Sequence, residues 1–154
     1  MSDYSEFLAS KDHTFTGVGI PCTIDDVNPD LFEFQRHIVA WAVRKGCAAI
    51  WADTGLGKTR MQVEWARLLT EQGGRALILA PLAVAHQTIR EASAIGVHVE
   101  YVRNAQEVTD SPSRIVICNY DRLDSLDPSA FTAVVLDESS ILKAFSGVTK
   151  KALV

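Results

Sequence analysis

The stretch Ala52-Asp-Thr-Gly-Leu-Gly-Lys-Thr59 decides how this chain folds. Its glycines, Gly55 and Gly57, let the backbone wrap closely around an anion, with successive N–H groups pointing inward. Lys58 can reach the outer phosphates of a nucleotide, and the hydroxyl of Thr59 can bind Mg²⁺. The spacing is that of a phosphate-binding loop with alanine at the first position, where glycine is usual. The alternative interpretation is a glycine turn followed by a surface lysine.

The sequence on both sides of the loop favours phosphate binding. Cys47–Ala52 is a short apolar run that predicts a buried strand, and the apolar residues from Met61 to Leu69 recur on one helical face that closes at Gly73-Gly74. A strand, a glycine loop and a helix, in this order, are the surroundings that such a loop requires. The residues predicted to bind the nucleotide phosphates are Thr54, Gly55, Leu56, Gly57, Lys58 and Thr59.

The remaining apolar segments predict an α/β fold. Phe34, Ile38, Trp41 and Ala42 mark a helix that ends near Lys45-Gly46, further strands are predicted at Arg75–Ala80, Val97–Val102, Arg114–Asn119 and Ala133–Asp137, and another helix is predicted at Leu82–Ile95. Strands rich in Val, Ile and Leu that alternate with helices predict a mostly parallel sheet with helices on both faces.

Two carboxylates, Asp137 and Glu138, follow the last predicted strand. Ligands of parallel sheets bind beyond the carboxyl ends of the strands. If this strand lies beside the strand of the phosphate loop, Asp137 can hold Mg²⁺ together with Thr59, and Glu138 can orient and deprotonate an attacking water. We therefore predict Lys58, Asp137 and Glu138 as catalytic residues, with ATP and Mg²⁺ as cofactors. The alternative interpretation is a strand that ends in two solvated acids.

The composition fits one globular domain. The chain has 154 residues, 47% of them hydrophobic, and a formal net charge of −4, which neither demands nor excludes a nucleic-acid partner. It has no export signal and no apolar run of membrane-spanning length, and its three cysteines lack the spacing of a metal site or disulfide framework, so we expect buried thiols and a cytoplasmic location without a membrane partner. Because the composition changes near Pro29, we predict an accessory segment at 1–29 and the domain at 30–154.

Five segments between Leu31 and the C-terminus resemble superfamily two helicases, and more narrowly the Swi/Snf-type translocase branch and its phage-encoded relatives. They are Leu31–Arg36, Asp53–Thr59, Leu79–Val84 with Glu91, Val116–Leu123, and Leu136–Lys143. The resemblance implies a RecA-like P-loop NTPase domain that binds ATP and duplex DNA. It also implies that Gln35 reads the adenine edge while a nearby aromatic packs on the ring.

Two departures from that family bear on function. Ser139-Ser140 follow Glu138, where the family commonly has His or Asp to couple hydrolysis to movement. The chain also stops at Val154, before the second RecA-like domain that carries the arginine finger. We therefore expect a first domain that is incomplete at its C-terminus, nearly inactive alone, and able to hydrolyse ATP once a second domain or a partner protein completes it. The alternatives are a non-enzymatic helicase-like decoy that binds a partner motor or nuclease, and an ATP-binding switch that dimerises.

Overall fold

The structure, a computed structural model, describes residues 17–137 and has an α/β architecture. Its strands are β1 (Ala76–Leu79), β2 (Glu100–Tyr101), β3 (Ile115–Cys118) and β4 (Ala133–Leu136). Its α-helices are α1 (Glu33–Lys45), α2 (Lys58–Glu71), α3 (Leu82–Ala94) and α4 (Ala105–Asp110). Short 3₁₀ segments lie at Ile24–Asp26, Tyr120–Ser125 and Pro128–Ala130.

The four strands form one sheet in the order β2-β3-β1-β4, and each neighbouring pair is parallel. Leu79 at the end of β1 lies opposite Cys118 of β3 and Leu136 of β4. The carboxyl ends of these strands therefore meet at the same edge of the sheet. The predicted parallel sheet is confirmed.

Successive side chains of a strand point to opposite faces of the sheet, and helical segments cover both faces. On one face, Ile78 and Ile117 belong to a buried cluster with Val39 of α1, Met61 of α2 and Ala85 of α3. On the other face, a second cluster joins the alternate strand residues to α4 and the Tyr120–Ser125 segment, and its members include Leu77, Leu79, Val116, Val108 and Leu123. This is the layered arrangement of a RecA-like domain, as the sequence predicted.

The predicted buried strand at Cys47–Ala52 is wrong. The structure has no strand there, Cys47 is exposed and Trp51 is 89% exposed. A strand at 47–52 would need a neighbouring strand to bind its N–H and C=O groups. Among the described residues, β4 is the edge strand nearest in the predicted arrangement, and it pairs only with β1. An apolar run alone therefore did not suffice to place this segment in the sheet.

The prediction of three buried thiols is also wrong in part. Cys22 and Cys118 are buried, whereas Cys47 lies on the exposed segment before the loop. Burial raises the pKa of the Cys118 thiol to about 11.

The described part of the segment 1–29 packs against the helices. Arg44 of α1 donates to the carbonyl oxygen of Cys22 at 2.7 Å, and the backbone N–H of Asn28 donates to the Glu64 carboxylate of α2 at 2.7 Å. Glu64 is fully buried and also pairs with Arg67 at 2.7 Å, so its charge is compensated. The domain boundary at residue 29 stays a prediction. Within residues 17–137, no helix has the length and apolarity needed to cross a membrane.

Candidate functional site

The glycine loop before α2 has the backbone shape that its sequence predicts. Gly55 and Gly57 have φ angles of +82° and +73°, in the left-handed region that favours glycine. Gly57 is the N-cap of α2 and has no side chain with which to cap the first turn. The N-terminus of this helix therefore presents N–H groups and the positive end of its dipole toward the loop.

The space around the two glycines differs. A Cβ atom added to Gly55 would meet no atom of the described residues within 4 Å, whereas one added to Gly57 would lie 2.4 Å from Nε2 of Gln35. The loop is therefore open at Gly55, where a phosphate group can approach the backbone, and closed at Gly57 by a neighbouring side chain.

Lys58 folds back over the loop. Its ammonium donates to the carbonyl oxygens of Ala52 at 2.7 Å and Asp53 at 2.9 Å. An ammonium group has three N–H donors, so one remains for another acceptor. These contacts hold a positive charge at the loop, where nucleotide phosphates would carry negative charge.

Gln35 joins the start of α1 to the loop. Its Oε1 accepts from the backbone N–H of Phe32 at 3.0 Å, and its Nε2 donates to the carbonyl oxygen of Leu56 at 2.9 Å. The side chain is 3% exposed. Beside it, the rings of Phe32 and Phe34 stack with centroids 6.1 Å apart and are 69% and 45% exposed. The structure thus gives Gln35 a contact with the loop, and its predicted reading of adenine stays a prediction.

Asp137 follows β4 and is held by three hydrogen bonds from three parts of the chain. Nε2 of Gln62 on α2 donates to its Oδ1 at 2.9 Å, and its own backbone N–H donates to the Leu79 carbonyl oxygen at 2.8 Å. The hydroxyl of Tyr120 donates to the backbone carbonyl oxygen of Asp137. Asp137 therefore has a defined position at the carboxyl edge of the sheet.

Helix α2, and not a neighbouring strand, brings Asp137 to the loop. The condition stated from sequence, that β4 lies beside a strand of the phosphate loop, is not met, because the segment before the loop forms no strand. Thr59 and Gln62 are three residues apart on α2 and so share one face of the helix. Since Gln62 contacts Asp137, the Thr59 hydroxyl and the Asp137 carboxylate lie on the same side of α2. Glu138, the predicted base, lies outside the described residues.

Two of the residues that shape this site were not predicted to belong to it. Gln62 had a usable signal in the sequence, its position three residues after Thr59 on a helix. Tyr120 had none, because the resemblance places its segment on the DNA side. It is instead 7% exposed, with its hydroxyl on the main chain of Asp137.

The segments that the resemblance places on the DNA side begin at the same sheet edge. Pro81 and α3 follow β1, and the Tyr120–Ser125 segment follows β3. Leu82 at the start of α3 is 54% exposed, and Glu91 further along this helix lies 3.9 Å from Arg60 of α2.

The residues present fit a magnesium nucleotide. Within residues 17–137, no group of three or more His, Cys, Asp and Glu side chains could hold a metal ion. Mg²⁺ does not need such a group when phosphate oxygens and water complete its coordination. Thr59 and Asp137 can supply the protein oxygens, and the open backbone at Gly55 leaves room for phosphate.

A glycine loop that opens a helix beside an acidic strand end defines a P-loop nucleotide-binding domain of RecA-like fold. Residues 30–144 match the family model described as type III restriction enzyme, res subunit, and the chain belongs to this family. The family is a helicase-like ATP-binding domain related to helicase superfamily two, which confirms the resemblance at the level of the superfamily. No curated protein matches the chain.

Proposed function

We propose that this chain binds ATP-Mg²⁺ and is the first RecA-like domain of a DNA-dependent ATPase, a helicase or duplex translocase. The observation that carries the proposal is the uncapped N-terminus of α2, with an open glycine loop and Lys58 beside it and Asp137 on the same side of the helix. A helix N-terminus with free N–H groups is a site for phosphate.

Each residue of the loop region has a role in this proposal. The backbone N–H groups from Gly55 to Thr59 bind phosphate oxygens, and Lys58 exchanges its carbonyl acceptors for the outer phosphates. Thr59 and Asp137 hold Mg²⁺, which neutralises charge on the phosphates when bound. Glu138 is proposed from sequence as the base that orients water.

The narrower proposals rest on the sequence segments. The forms of the five segments favour the Swi/Snf-type branch and its phage relatives, acting on duplex DNA in the cytoplasm of a bacterial or phage-infected cell. What supports a nucleic-acid partner is that Leu82 and the Tyr120–Ser125 segment lie at the sheet edge that also carries Asp137. Movement along DNA further requires a second RecA-like domain or a partner protein.

Calorimetric titration with ATP-Mg²⁺ tests nucleotide binding directly. Lys58→Ala should reduce ATP affinity about ten- to a hundred-fold, since a charge-assisted contact to phosphate is lost from a largely preformed site. Lys45→Ala, at the end of α1, is the matched control for loss of one lysine and should bind as the unchanged chain does. Equal affinity for all three proteins, with thermal unfolding confirming their fold, would contradict the proposal.

ATP hydrolysis by the chain alone should be very slow, even with duplex DNA. An arginine finger accelerates related phosphoryl transfers by about 10³- to 10⁵-fold. Arg60, next to the loop, lies 3.9 Å from Glu91. Arg67, further along α2, is paired with Glu64, and Arg75, before β1 at the opposite edge of the sheet, donates to the carbonyl oxygen of Ser111, so we expect none of the three to serve as the finger. A phosphate-release assay checks this, with Glu138→Gln as background. DNA-stimulated turnover near about 10 per second, lost in Glu138→Gln, would show that the chain completes its own site.

A further inference from the structure

We propose that Gln62 and Tyr120 are positioning residues that fix Asp137 for Mg²⁺ binding, an inference that rests on the proposed function. Neither residue needs to touch the nucleotide. Gln62 fixes the carboxylate, and Tyr120 fixes the main chain from which that carboxylate projects.

The contact from Gln62 suits a metal ligand. The neutral amide of Gln62 donates to Oδ1 of Asp137 at 2.9 Å and leaves the negative charge of the carboxylate in place. A lysine or arginine at this position would neutralise that charge. Among residues 17–137, Gln62 alone donates to this carboxylate, so no described donor competes with a cation for Oδ2. Because Gln62 lies on α2, the carboxylate is set in register with Thr59, the other proposed metal ligand on that helix.

The contact from Tyr120 reaches across the sheet. Tyr120 follows β3 and Asp137 follows β4, and β1 lies between these two strands. Neighbouring strands are about 4.8 Å apart, so the side chain spans the end of β1 to reach the Asp137 carbonyl oxygen. The carbonyl oxygen of Leu79, the last residue of β1, accepts a hydrogen bond from the backbone N–H of Asp137 at 2.8 Å. The peptide groups on both sides of Asp137 are therefore held.

The described residues contain two further hydrogen bonds of the same kinds that do not involve Asp137. Gln106 of α4 donates to the Asp110 carboxylate at 2.9 Å, four residues along an exposed helix. The hydroxyl of Tyr101 donates to Oδ1 of Asn119 at 3.0 Å. These two contacts provide matched controls, since their removal deletes a glutamine–carboxylate bond and a tyrosine hydroxyl bond that do not involve Asp137. The Tyr101 control also tests the residue that directly precedes Tyr120.

The experiment compares Gln62→Met and Tyr120→Phe with the controls Gln106→Met and Tyr101→Phe in the full chain. Methionine keeps the length of glutamine without its donor, and phenylalanine removes only a hydroxyl. ATP binding is titrated against Mg²⁺ concentration and, separately, measured in EDTA. The Mg²⁺ concentration for half-maximal enhancement should rise about ten-fold in Gln62→Met and about three-fold in Tyr120→Phe, since each loses one hydrogen bond that orients the ligand. Affinity in EDTA and both controls should stay unchanged.

The outcomes separate this inference from the proposed function. If the unchanged chain binds no ATP, both fall. If Lys58→Ala loses binding while Gln62→Met and Tyr120→Phe keep the original Mg²⁺ requirement, the inference alone is overturned. An equal loss of affinity with and without Mg²⁺ would show a structural role only and would also overturn it. If Tyr120→Phe does not fold, Gln62→Met decides the question, because its side chain is only partly buried.

Discussion

The phosphate loop at 52–59 and the end of β4 are the two parts of the candidate site, and they are built in opposite ways. In the loop, the first turn of α2 is uncapped, Gly55 faces open space and Lys58 rests on main-chain oxygens. At the end of β4, Asp137 makes three hydrogen bonds to three separate elements. One region keeps its hydrogen-bonding groups available, while the other has already satisfied most of its own.

Under the proposed function, this difference divides the work of binding between the two regions. A polyanion would supply acceptors for the N–H groups of the loop and for Lys58. A metal ligand must be placed before the ion arrives, because Mg²⁺ demands near-ideal geometry. Ordering Asp137 during folding removes that cost from the binding step.

The largest difference should be in stability, between β1, whose last residue contacts Asp137, and the segment just before the loop. Leu79→Ala, at a fully buried position of β1, should cost about 2–5 kcal/mol in the free energy of unfolding because it opens a cavity in the core. Trp51→Ala should change it by less than about 0.5 kcal/mol, since this side chain is 89% exposed. Urea denaturation measures both. A large cost at Trp51 would mean that 47–52 packs as the strand predicted from sequence.

Two glycine variants distinguish the effect of the loop's backbone conformation from the effect of its contact with Gln35, and the expected change is smaller. Gly57→Ala and Gly96→Ala place alanine at nearly equal φ angles, +73° and +74°, which costs roughly 1–2 kcal/mol of stability at each position. Only at Gly57 does the new Cβ meet Nε2 of Gln35, at 2.4 Å, while Gly96 has open space.

Gly57→Ala should therefore displace Gln35 and lower ATP affinity by roughly ten-fold or more, corresponding to at least about one lost hydrogen bond. Gly96→Ala should keep full affinity. Calorimetric titration of both variants checks this, and equal affinities would show that the contact between Gln35 and the loop does not matter for binding.

The smallest expected effect distinguishes the two roles of Gln35. As a support of the loop through Leu56, it should matter for any polyphosphate, and as an adenine reader it should matter for ATP alone. Gln35→Ala should weaken tripolyphosphate about three-fold and ATP about ten-fold, if each role is worth about one hydrogen bond or less. No change for tripolyphosphate would exclude the support role, and equal loss for both ligands would exclude adenine reading.

Elements with a strong local signal were predicted well from sequence. The helix of α1 ends at Lys45 before Gly46, which has a φ of +80°, and α2 starts within the glycine loop. The cores of the four observed strands also lie inside their predicted ranges, although β2 shortens to Glu100–Tyr101 at the edge of the sheet. An edge strand pairs on one side only, so its ends are less constrained.

The failures concern pairing and contacts between distant residues. Cys47–Ala52 has the composition of a strand, but composition does not state whether a neighbouring strand is present. In the same way, Gln62 and Asp137 are separated by 75 positions, and no local pattern indicates that their side chains meet. The sequence interpretation connected Asp137 to the loop by strand pairing, whereas the structure connects Asp137 to α2 by the side chain of Gln62.

The sequence by itself determined the α/β class, the phosphate loop and the strand that carries Asp137, because glycine placement, apolar periodicity and charge act over a few neighbouring residues. The tertiary structure alone decided the strand order β2-β3-β1-β4, the exposure of Trp51 and the hold of Gln62 and Tyr120 on Asp137. These depend on which distant surfaces pack together when the whole core closes. That choice is a property of the folded chain and not of any segment within it.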